Sequence, residues 1–331
     1  MGEAGVSDGA AGLRPRDCMA ETLDIHPASP EERLQCYENV YEFWPMAPSL
    51  EEHLRLRLTS PKHQRAHWYA GCLGGRVVAS LGCFPLNYYL DGREVEGFSI
   101  GSVHTRPEYR RRGFAAAVMD WAEHDRMKQG DRLSSLFSDI DPDYYGKQGY
   151  QRCPSWKAWA ATDTASLGTG ERSWDLQPVS ASRALPELQE IYRAYHGSYP
   201  LAVARPLGYW KYTLLKQPWD EFYWLKDPGS RTQGYVRVTE LNGAWQISDF
   251  AVRRERSDSL RLLFRLVIDL AGRKGKAGVG GWLPNEPAIR SLFDLQPRTE
   301  SVTMVKSLDA GLKIEEGHLE TADRFCKIDH V

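Results

Sequence analysis

The stretch Val103-His104-Thr105-Arg106-Pro107-Glu108-Tyr109-Arg110-Arg111-Arg112-Gly113-Phe114-Ala115 decides the reading of this chain. Residues 95–105 ahead of it read as a strand. Residues 113–129 behind it read as a helix with Phe114, Ala117, Val118, Trp121 and Ala122 on one face. A strand that breaks in a polar turn and opens directly into a helix leaves several backbone N–H groups unpaired and converging, and anions bind at such a place. Gly113 and Ala115 keep that backbone open to approach, and Arg110, Arg111 and Arg112 add charge-assisted hydrogen bonds. The run has neither the G-x-x-x-x-G-K-[ST] of nucleoside triphosphate loops nor the G-x-G-x-x-G of dinucleotide folds.

Working outward, residues 31–58 give two helical patterns parted by Pro45 and Pro48, the second capped by Ser49. Strands follow at 66–72 and 77–83, joined by a Gly74-Gly75 turn. Beyond the central helix come a short buried strand at 133–138 and a turn of helix at 144–148. Residues 163–173 are Thr, Ser, Gly and Ala without period, the pattern of an interdomain linker. The second half repeats the order of the first, with a wide apolar face on its helix at 259–271 and a closing strand at 301–308. The expected organisation is a disordered tail over 1–20, an α/β domain over 21–162, the linker at 163–173, a second α/β domain over 174–308 and a tail over 309–331.

A chain of 331 residues with 42% hydrophobic and 26% charged residues has the composition of an ordinary globular protein. Its net charge of -2 gives no electrostatic reason to expect nucleic acid or an acidic membrane surface. Cys18, Cys36, Cys72, Cys83, Cys153 and Cys326 stand far apart, with no C-x-x-C pair and no histidine at ligand spacing, so free thiols are expected and no metal site. The N-terminal residues lack the apolar run of a signal peptide, and Val6 breaks the myristoylation pattern, so a cytoplasmic location is expected.

Arg110-Arg-Arg-Gly113-Phe-Ala115 resembles the [QR]-x-x-G-x-[GA] pyrophosphate loop of the GNAT N-acetyltransferases. Tyr144-Tyr145-Gly-Lys-Gln-Gly149-Tyr150 is similar to their second signature, and it stands at the family's separation from the first. With a GNAT-like second half, residues 22–308 look like the tandem-GNAT enzymes of the Eis type. Those enzymes add a sterol-carrier-like domain, for which the residues after Leu308 are too few, so their assembly and amine range are not carried over. The resemblance implies tandem mixed sheets flanked by helices, acetyl-CoA as cosubstrate and a small-molecule or peptide amine as acceptor. It further implies that Val103, His104 and Thr105 hold the acetyl-pantetheine arm, that Arg110 to Ala115 cradle the pyrophosphate, and that Tyr145 protonates the leaving thiolate.

The proton acceptor is open at this level. Some relatives place a Glu on the fourth strand, where Ser99 falls here; Glu96, Glu94, Asp139, Asp141 or a water relay are alternatives. The family resemblance adds the α-carboxylate of Val331, whose neighbours Phe325 and Ile328 restore apolar character to the tail and imply that it docks. Trp44, in Phe43-Trp44-Pro45-Met46, is a candidate acceptor-pocket wall, as is the aromatic cluster from Tyr209 to Trp224, although aromatic density also makes cores. The loop of the second half, residues 253–258, has no glycine and carries Glu255 and Asp258 where phosphates would lie, so that copy reads as degenerate. The rival reading is a catalytically silent acyl-CoA-binding regulator; a third is a longer-acyl or aminoacyl transferase.

Overall fold

The computed structural model describes residues 22–162, 173–253 and 258–331. The tail expected at 1–20, nearly all of the linker and most of the second-half loop fall outside them.

The described residues form two seven-stranded mixed sheets and a small three-stranded one, Leu201–Ala204, Asn87–Leu90 and Arg93–Val95, which pairs a strand of the second half with two of the first. In the first, strands Asp24–Pro27, His67–Leu73, Arg76–Pro85 and Gly97–Thr105 run antiparallel in turn, and Leu133–Ser138 then adds in parallel. Local chemistry explains the connections. Gly74 and Gly75 turn the first hairpin at φ 55° and 78°, a region that costs glycine nothing. Ser49 caps the helix Leu50–Thr59 by accepting from the Glu52 N–H at 3.3 Å. The helix Phe114–Lys128 lays Val118, Met119 and Ala122 on the sheet, among Tyr69, Leu81, Phe98 and Leu136.

The second sheet repeats this order with Asp175–Val179, Glu221–Lys226, Thr232–Leu241, Ala244–Val252 and Gly278–Gly281, the last pair again parallel. The helix Ser259–Arg273 covers it with the apolar face that its sequence predicts. Tyr209, Trp210, Phe222, Tyr223 and Trp224 are buried as core, while Trp219 of the same cluster is exposed and lies outside the cleft lining.

One feature of the expected organisation is corrected. Val302–Ser307, read as the closing strand of the second half, instead pairs antiparallel with Leu133–Ser138 and completes the first sheet. Trp156–Ala161 makes the opposite crossing, entering the second sheet between Gly278–Gly281 and Asp294–Pro297. The linker therefore parts the halves in sequence but not in space. Side chains lock the exchange: Lys306 pairs with the buried Glu123, whose other oxygen accepts from Tyr150 Oη at 2.8 Å. A fragment of residues 1–162 would leave the Leu133–Ser138 edge open and Trp156–Ala161 without neighbours. We expect it to aggregate when expressed alone and to become soluble on co-expression with 163–331; a well-dispersed fragment with the full chain's affinity for acetyl-CoA would contradict the exchange as a requirement of folding.

The C-terminal residues dock as expected, through 3₁₀ turns rather than as an added strand. Phe325 and Ile328 are each 1% exposed. Asp329 is fully buried and takes both arms of the Arg205 fork, at 3.0 Å from Nε and 2.7 Å from Nη2, while Arg205 Nη1 reaches Asp249 at 2.6 Å. Five of the cysteines lie among the described residues, and all five are free and buried, with burial pushing Cys36 up to about 12.

Candidate active site

The parallel strands Gly97–Thr105 and Leu133–Ser138 are paired only from Gly97/Leu133 to Ile100/Leu136. Past Ile100 the first strand bulges: Gly82 faces Gly101 and Ser80 faces His104, and Ser102 sits at φ 53°. The two strands then part, opening a slot in the middle of the sheet. Gly101, Ser102, Val103 and Thr105 line one side, and Leu136, Phe137 and Tyr145 the other. The slot widens into a cleft of about 970 Å³.

At its outer mouth stands the loop that opened the sequence reading. After the short turn Pro107–Tyr109, Arg111 takes φ 63° and Gly113 φ 80°, and the helix begins at Phe114. The first amide there to find a backbone partner is Ala117, which donates to Gly113 O at 3.0 Å. Among the described residues, the N–H groups of Arg111 to Ala116 have no protein acceptor, and a Cβ placed on Gly113 would meet nothing within 4 Å. Such an open nest of amides at a helix N-terminus fits a pyrophosphate. Arg110 and Arg111 line it; Arg110 Nε is braced by Thr105 O at 3.1 Å, and Arg112 instead stacks on the Tyr109 ring at 5.3 Å.

Residues 24–153 match the family model described as an acetyltransferase (GNAT) domain. This part of the chain is a GNAT acetyltransferase domain. The likeness of fold extends over both halves. A probable N-acyltransferase from Enterococcus faecalis V583 superposes with TM-score 0.68 at 16% identity, over 91% of this chain and 74% of that one. A GCN5-related N-acetyltransferase from Kribbella flavida gives TM-score 0.68 at 18% identity, over 88% and 72%. Eis1 from Mycobacterium abscessus gives 0.60 at 16%, over 87% and 74%. No curated protein matches in sequence. The chain thus carries a GNAT acetyltransferase domain, of a family that uses an acyl-CoA cosubstrate, on a fold whose second sheet repeats the order of the first. No helix among the described residues is long and apolar enough to cross a membrane.

The remaining residues singled out from the sequence separate into two groups. Tyr145 stands on the short helix Asp143–Gly146 beside the slot, and burial raises its phenol well above the usual range. Trp44 and Val331 also line the cleft. A Cβ at Gly101 would meet Val331 Cγ2 at 3.3 Å, so glycine there lets the tail lie against the strand. Glu96 and Ser99 do not reach it. Glu96 is exposed just ahead of the strand Gly97–Thr105, and Ser99 is buried below the fork, its Oγ donating to Ser135 O at 3.3 Å. His104 points away from the slot toward Phe43, with ring centroids 5.4 Å apart, and burial takes its imidazole down to about 4. Only its backbone remains to face a ligand. Asp141 accepts from the Asp143 N–H at 3.0 Å as a turn residue does.

The structure adds lining residues that the sequence reading passed over: Arg57, Lys62, His63, Lys216 and His330. They come from the second and third helices, from the end of the helix Leu207–Lys216 and from the tail. Nothing local marks them, because only the exchange of strands and the docking of the tail bring them to one place.

The fork of the second sheet has a different fate. Its parallel pair ends at Ile247/Gly281, the position equivalent to Ile100/Leu136. Just beyond stands Asp249, bound to Arg205, which in turn holds Asp329 of the tail. The slot open in the first sheet is therefore closed in the second by an ion cluster and the tail that it anchors.

Proposed function

We propose that this enzyme transfers the acetyl group of acetyl-CoA to the primary amine of a small molecule or peptide, in the cleft of the first sheet. The observation that carries this reading is the fork at Ile100/Leu136, with unpaired amides at one end and Tyr145 at the other. Arg110 to Ala115 hold the pyrophosphate, and the backbone of Val103 to Thr105 pairs with the pantetheine arm as a missing strand would. The acetyl-CoA supplies an acyl group already activated as a thioester. Tyr145 gives its proton to the departing sulfur; a phenol whose pKa is raised by burial stays protonated at neutral pH, the form required of an acid. Trp44 and Val331 wall the acceptor side, and in the 331-residue chain the α-carboxylate of Val331 takes the amine's proton, directly or through water.

Release of free thiol from acetyl-CoA against a panel of primary amines tests the reading. Silence with every amine, in a protein that still binds acetyl-CoA, would favour a binding regulator instead. Tyr145→Phe should lower kcat by about 10²-fold or more with little change in affinity for acetyl-CoA. Retained turnover would make Tyr145 a packing residue.

A further inference from the structure

The acceptor side of the cleft carries an unusual charge balance. Arg57, Lys62 and Lys216 line it, and among its described lining residues the acidic groups are the Asp139 side chain and the terminal carboxylate of Val331. Asp139 is already engaged, accepting from Ser301 N–H at 2.9 Å and Ser301 Oγ at 3.0 Å. Among the described residues, none of the three cations pairs with a carboxylate. Arg57, 3% exposed, donates to neutral partners, His63 Nε2 at 2.9 Å and Trp44 O at 3.2 Å. Lys216 Nζ donates to the carbonyls of Ile328, at 2.8 Å, and of His330, which leaves one of its three hydrogens free. Lys62 Nζ lies over the Phe84 ring at 5.2 Å and has no protein acceptor among the described residues.

These groups sit beside the place where the acyl group arrives. Phe84, under Lys62, is the ring that a Cβ on Gly101 would meet at 3.0 Å, and Lys216 holds the two carbonyls that flank Asp329, next to Val331. Burial and the neighbouring positive charge of Arg57 push Lys62 down to about 8, and burial with the charge of Lys62 pushes Lys216 to about 7. Like charges gathered in a half-buried cleft oppose one another, and a bound anion relieves the conflict.

Resting on the reading above, we propose that the acceptor is a small amine that also carries an anionic group, a carboxylate or a phosphate. The anion lies between Lys62 and Lys216 with Arg57 behind them, and the amino group points toward Gly101 and Tyr145. Amino acids and amino-bearing phosphate esters have this chemistry; polycationic amines have the opposite one.

The test uses the full chain, saturating acetyl-CoA and pairs of amines that differ in the anion: phenylalanine against phenylethylamine, glycine against glycinamide, and phosphoethanolamine against ethanolamine, with spermine as a polycation. The expected result is a kcat/KM at least about 10-fold higher for the anionic member of one pair, the range of a hydrogen bond to a charged group. Which pair responds separates carboxylate from phosphate. In Lys62→Met the preference should collapse through KM, and in Lys62→Arg it should largely persist. Reading the ratio within a pair cancels any general loss of activity, which matters for Lys216→Met because Lys216 also braces the tail. Transfer to the neutral members or to spermine with equal or higher kcat/KM would overturn the anionic acceptor and leave acetyl transfer standing. No thiol release with any amine would overturn acetyl transfer, and this proposal with it.

Discussion

Gly113→Glu should raise the Kd for acetyl-CoA by about 10³-fold or more, measured by calorimetry on the full chain. Two effects add. Gly113 sits at φ 80°, where any side chain costs about 1–2 kcal/mol. The new carboxylate would also enter a space that is empty within 4 Å of its Cβ, the space onto which the amides of Arg111 to Ala116 open. An anion there satisfies those amides from the protein itself and repels phosphate, at a cost of about 1.5–3 kcal/mol for each charged hydrogen bond displaced. Gly113→Ala carries the strain alone and should weaken binding only about 10-fold. Gly113→Gln adds the bulk without the charge and should fall between the two. A Glu variant that binds as the parent does would mean that the pyrophosphate lies elsewhere.

The same loop shows how much of this molecule its sequence carries. Arg110 to Ala115 were legible because the chemistry is local: consecutive amides, a glycine at positive φ and a helix start all lie within a few residues. The helix at 114–128, the hairpin at Gly74-Gly75 and the repeated order of elements were legible for the same reason. Tyr145 came with a motif, and the structure brings it to the slot. What the sequence hid is non-local. Val302–Ser307 has the pattern of a buried strand whichever sheet it joins, so periodicity alone assigned it to its own half. Glu96 illustrates the limit of counting along a strand, since the bulge at Ser102 and the end of pairing at Ile100 decide which residues face the slot. Arg57, Lys62 and Lys216 stand in helices with no motif, and their convergence is a property of the assembled fold.

The tail joins the two halves of this argument. Its Asp329 closes the fork of the second sheet, and two residues later Val331 lines the open fork of the first. Degeneracy of one copy and completion of the other are thus served by a single segment, and with the second slot closed we expect one acetyl-CoA to bind per chain.

Asp329→Ala should therefore damage both stability and turnover. Arg205 is fully buried, so neither Nε nor Nη2 can find water when its partner is removed. Asp249 still balances its charge at 2.6 Å, which keeps the loss near about 2–4 kcal/mol rather than the larger penalty of an uncompensated buried ion. The tail then keeps the burial of Phe325 and Ile328, the bonds from Lys216 and the contacts of His330 with Phe137 and Trp282, but without the Arg205 anchor its end is held less firmly against Gly101. We expect kcat to fall by about 10²-fold or more while the Kd for acetyl-CoA changes little, because the amides of the pyrophosphate loop are untouched. Asp329→Asn keeps one oxygen for the Arg205 fork and should lie between the parent and the alanine variant in both melting temperature and kcat. A lowered melting temperature with unchanged kcat in both variants would make the tail a structural plug for the second sheet and remove it from the acceptor side of the cleft.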